Sequence, residues 1–81
     1  MKKYIWEGAV GVVLQPKPDR HGEYFWTFEF VRCFRQAGVE EMRYGKSFTQ
    51  RNADALGKAL DRAFEFMTTT SASSLADTSA P

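Results

Sequence analysis

Large apolar residues fall on even numbers in three successive stretches of this chain. They are Tyr4, Trp6, Val10, Val12 and Leu14; Tyr24, Trp26, Phe28, Phe30 and Phe34; and Met42, Tyr44 and Phe48. Residues two apart in a strand share a face, so each stretch reads as a strand with one apolar side. The reading gives strands over residues 3–14, 23–35 and 39–48. A loop with Pro16 and Pro18 joins the first pair, and a short hairpin at Gln36-Ala37-Gly38 joins the second. Keeping the even faces together pairs Val12 with Trp26 and Val10 with Phe28, then Arg32 with Met42 and Phe30 with Tyr44. Gly8 and Gly11 are poor strand residues unless a bulge or a large neighbour fills their space.

A helical period follows from Gln50 to Met67, with Thr49 preferred over Ser47 as its cap. Ala53, Leu56, Leu60, Ala63, Phe64 and Met67 form its apolar stripe, which Ala55, Ala59 and Phe66 widen to half the circumference. Asp54 and Lys58 are spaced for an ion pair. The expected fold is α+β: a three-stranded antiparallel meander with one C-terminal helix packed on the sheet. Residues 1–67 make the domain. Residues 68–81, almost all Thr, Ser, Ala and Asp, read as a disordered tail.

A domain of this size buries only about 60% of the surface its unfolded chain exposes. A homodimer, intertwined or packed through its helices, is therefore expected, with Leu56, Ala59, Leu60, Ala63 and Phe66 at the interface. The chain has eleven basic and ten acidic residues, so any nucleic-acid affinity must come from local placement. Its single cysteine, Cys33, forms no internal disulfide and fits a reducing compartment. No apolar run approaches membrane-spanning length, and a cytoplasmic protein without a membrane partner is expected.

His21 and Cys33 stand alone, without the convergent partners that a metal site or a nucleophile needs. Neither an enzyme nor a cofactor or metal is expected. The odd-numbered face carries Lys3, Phe25, Thr27, Glu29, Val31, Arg35 and Arg43. It reads either as a solvated face with diagonal pairs such as Glu29 with Arg43 and Arg35 with Glu41, or as a ligand surface. Lys17 and Arg20 sit on a loop stiffened by two prolines. Together with Arg35, Arg43, Lys46 and Arg51 they are the candidate phosphate contacts. Arg32, on the aromatic face, is expected to stack on Trp6 or Tyr4.

Lys46-Ser47-Phe48-Thr49, leading into the helix, resembles the end of the arm-binding domain of phage integrases and plant ethylene-response factors. With Gly22-Glu23-Tyr24-Phe25-Trp26-Thr27-Phe28 before it, the stretch also resembles the N-terminal domain of HicB-type antitoxins. The element order is similar, in architecture, to the single-stranded-DNA-binding coactivator type. These resemblances imply a small nucleic-acid-associated module and transfer no functional residue. The functional expectation is a dimeric DNA-binding accessory or regulatory protein, of phage or plasmid type and acting in transcription regulation. Duplex is preferred over single-stranded DNA. The alternative is a protein-interaction module such as an antitoxin or inhibitor.

Overall fold

The computed structural model describes residues 2–78, and the side chains of residues 2–76. The fold is α+β, with four strands rather than three: β1 (Lys3–Glu7), β2 (Val10–Pro18), β3 (Tyr24–Arg35) and β4 (Met42–Gly45). They form one antiparallel sheet in the order β1-β2-β3-β4. A single 3-10 turn (Gln50–Asn52) leads into α1 (Ala53–Thr69), and α2 (Ala72–Thr78) follows.

The expected first strand is in fact a hairpin. Glu7 pairs with Val10 around a two-residue turn, in which Gly8 adopts φ +61°. Positive φ at the first central position is the type II′ pattern, which glycine alone enters without strain. The turn also reverses the phase of the rings. Odd residues of β1 face even residues of β2, so Ile5 lies beside Val12 while Tyr4 and Trp6 turn to the opposite face with Val13 and Gly11.

The other registers differ from expectation as well. Val12 faces Phe30 rather than Trp26, a shift of four residues that preserves the phase. Arg32 faces Gly45 rather than Met42, a shift of three that reverses it. Tyr44 therefore joins Cys33 on the face of Tyr4 and Trp6, and Arg43 joins Phe34 on the helix side. The two prolines expected in a loop lie in β2 instead. Even residues of β2 turn their backbone toward β1, and β1 stops opposite Leu14. Pro16 and Pro18 thus lack donors where no strand would use them.

The core lies between the sheet and α1: Ile5, Val10, Val12 and Leu14 under Ala59 and Ala63. α1 packs on β1 and β2, and α2 on β2 and β3. Both alanines are fully buried, and their small side chains let the helix sit close to the strands. The buried stripe is thus centred on Ala59 and Ala63. Ala53 is exposed, and Leu60 and Phe64 stand on one flank at 39% and 63% exposure. Thr49 caps the 3-10 turn, its backbone N–H donating to Asn52 Oδ1 at 2.9 Å, while α1 itself starts at Ala53, three residues later than expected.

Packing continues beyond Met67. α1 runs to Thr69, and Thr70 O accepts a hydrogen bond from Trp26 Nε1 at 3.0 Å. Phe66 meets the same indole edge-on, with ring centroids 5.6 Å apart. Ala72 is buried, so α2 belongs to the packed unit. The last three residues of the expected tail, 79–81, lie outside the described residues.

Candidate functional site

The sheet face away from the helices carries the most unusual grouping in the molecule. Tyr4 and Trp6 are stacked, with an interplanar angle of 9° and centroids 6.4 Å apart. Tyr44, from the far edge strand, comes within 6.3 Å of the Trp6 ring. Gly11 makes this arrangement accessible. A Cβ placed there would come within 2.7 Å of Trp6 Cε3 and Cζ3, so the indole lies flat across β2. Tyr4 and Tyr44 are 50% and 65% exposed, offering ring faces to solvent. Large rings left half in water on a sheet face are uncommon unless something covers them.

The rings line one end of a trough along β2 and β3. Its wider part, about 480 Å³, is bounded by Tyr4, Trp6, Val31 and Tyr44, with Lys2 and Glu29 at the rim. A second recess continues along the same strands to Gln15, Thr27 and Lys17, sharing Lys2, Val13 and Glu29 with the first. The trough is therefore aromatic at one end and holds Lys17 among Gln15, Thr27 and Phe28 at the other, with Lys2 and Glu29 between them. Thr27 Oγ1 is engaged by Gln15 O at 2.9 Å, which fixes the polar floor.

Lys46 reaches Glu29 at 2.9 Å across the rim. Its hydrogen bond and its charge both hold the Glu29 carboxyl below the usual glutamate range. Both groups are exposed, so this pair orients side chains rather than stabilising the fold. It replaces the two expected diagonal pairs, Glu29 with Arg43 and Arg35 with Glu41, neither of which forms a salt bridge among those found.

The six expected phosphate contacts do not share one surface. Lys17 lines the trough and Lys46 borders it. Arg35 is exposed on the same face, at the end of β3. Arg20 is at the tip of the β2–β3 hairpin, where Asp19 Oδ1 accepts the backbone N–H groups of His21 and Glu23. Arg43 pairs with Phe34 on the helix side, and Arg51 lies in the turn that opens the helix. Lys3 is also on the helix side, its Nζ 5.4 Å from the Phe66 ring centroid. Arg32 stacks over Phe34 at 4.8 Å and donates to Ser47 O, rather than lying on Trp6 or Tyr4.

The expected dimer residues divide in a similar way. Ala59 and Ala63 are fully buried in the protomer's own core, so their side chains reach no partner. Phe66 is held by Trp26 and Lys3, and Leu56 is half-buried against the core. Of the five, Leu60 alone is exposed.

Tyr4, Trp6 and Tyr44 are the trough residues that the even-number pattern missed, because it placed the rings in the core. The usable signal was Gly8 followed by Gly11, a turn former and then a bare position for a ring. Among the described residues no group of three His, Cys, Asp or Glu is placed to hold a metal. No helix among them is long and apolar enough to cross a membrane. No family model, curated protein or solved structure matches the chain.

Proposed function

We propose that the protein is a small DNA-binding accessory or regulatory factor that holds a single strand in the open-face trough. The observation that supports this reading is one continuous groove joining the Tyr4–Trp6–Tyr44 rings to Lys2 and Lys17. An exposed ring stacks on the face of an unpaired base, whereas the bases of a duplex already cover one another. Single-stranded DNA therefore suits the rings better than the duplex that the scattered basic residues favour. Stacking on three rings tolerates any base, and Lys2, Lys17 and Arg35 add phosphate contacts.

In this reading binding is an equilibrium without chemistry, needing no cofactor, and the protein works in the cytoplasm as a homodimer of phage or plasmid type. Two copies would set two troughs on one particle, which raises avidity for a longer strand. The test is a titration of labelled single-stranded DNA, single-stranded RNA and duplex at two salt concentrations, read by quenching of tryptophan fluorescence. Salt-sensitive quenching by single strands, absent with duplex, is the expected result. No quenching at low salt would exclude the reading.

A further inference from the structure

The partner strand that β3 lacks is the feature that reaches beyond the trough. β3 has twelve residues, and β4 pairs only with Arg32–Arg35. Cys33 donates its backbone N–H to Ala9 O at 2.7 Å, so odd residues of β3 turn their backbone groups to β2. The even residues Tyr24, Trp26, Phe28 and Phe30 turn theirs the other way. The short segment after β4 runs beside Phe30, where Phe48 packs edge-on. At Tyr24, Trp26 and Phe28 no strand lies opposite among the described residues. The other edge of the sheet is guarded: Arg62 Nη1 donates to Trp6 O at 2.7 Å and pairs with Glu7. An open, ring-bearing edge is a template for another strand.

We infer that this edge of β3 is the homodimer interface, paired antiparallel with the same edge of a second copy. The inference rests on the dimeric reading above and not on nucleic-acid binding. Two observations favour a second copy as the occupant. A two-fold axis perpendicular to the sheet keeps helix sides together, so with Trp26 on the axis Tyr24 meets Phe28 of the partner.

The second observation is area. Tyr24, Phe28, Leu60 and Phe64 are 42%, 47%, 39% and 63% exposed. Leu60 and Phe64 lie on the α1 flank opposite Arg62, which reaches β1, and so they face the β3 side of the sheet. Half-exposed side chains of that size offer about 300–400 Å² per copy, given the 150–250 Å² of a large ring. The strand edge adds its backbone strip, toward the roughly 600 Å² per partner at the lower end of stable interfaces.

The test uses sedimentation of the full chain at micromolar concentration together with amide hydrogen exchange. A particle of twice 9.2 kDa with protected Trp26 and Phe28 amides is expected. Phe28→Lys places a charge on the paired edge and should weaken the dimer by at least about tenfold. Phe64→Glu, away from the strand, should weaken it too, and far-UV circular dichroism establishes that both variants fold. A dimer whose Trp26 and Phe28 amides exchange freely would overturn this interface while leaving a dimer. A monomeric wild-type chain would overturn both, and protection in a monomer would place the occupant within the same chain.

Discussion

Trp6 and Tyr44 belong to the two outermost strands of the sheet, yet their ring centroids are 6.3 Å apart. Three strand intervals separate their backbones by about 14 Å. The rings meet only because both lean inward over strands that carry Gly11 and Val31 there. The contact thus depends on a missing side chain as much as on the rings themselves.

Gly11→Ala tests that dependence. The new methyl would meet the indole at 2.7 Å, and the ring, 37% exposed, can swing away from the sheet. The expected result is a red-shifted tryptophan emission with a stability loss of about 1–3 kcal/mol. An unchanged spectrum would show that the indole does not lie on β2.

Trp6→Ala and Tyr44→Ala remove ring faces from the trough. Each should weaken single-stranded DNA binding by about 1–3 kcal/mol, with little change in sedimentation. Arg43→Ala, on the other side of the sheet, should leave the affinity unaltered. Equal losses in all three variants would argue against a trough-specific contact.

The Lys46–Glu29 pair predicts a pH dependence. Lys46 lowers the Glu29 pKa from its ordinary 4.5, so the pair's contribution is complete above that value. It is lost as pH falls through the lower, folded-state value. In a carboxyl-carbon NMR titration Lys46→Met should return the Glu29 midpoint toward 4.5. Glu29→Gln should free Lys46 for phosphate and steepen the salt dependence of binding by about 0.7 in log–log slope.

Ala59→Leu tests the close approach of α1. Its site is fully buried against the sheet, so added carbon atoms must push the helix outward. Thermal unfolding should show a loss of about 1–3 kcal/mol. Leu14→Ala, beneath the same helix, should cost about 2–5 kcal/mol through the cavity it leaves.

Much of this architecture was legible in the sequence, and the failures share a cause. Even numbering identified Val10, Val12, Leu14, Trp26 and Phe30 as facing the helix side, because β2 and β3 pair in a phase-preserving register. It failed for Tyr4, Trp6 and Tyr44, where the pairing reverses phase. Alternation reports which residues share a face within one strand, and only the turn relates the faces of two strands. Gly8-Ala9 is not among the common hairpin dipeptides, so alternation alone makes the first turn look like a flaw inside a strand. The helix stripe was broadly right, but periodicity could not rank alanine against Leu60 and Phe64. Contact with the sheet did so, since only a small side chain fits where α1 is closest. The trough is illegible for the same reason as the turn: alternation by itself puts its rings on the wrong side.

The Gly8-Ala9 bend therefore acts as a polarity switch for the amino-terminal ribbon. Inserting or deleting one residue there would transpose Ile5 with Trp6, sending an aliphatic side chain to water and an indole toward α1. Drift in that loop's length would erase the aromatic row without altering a single ring.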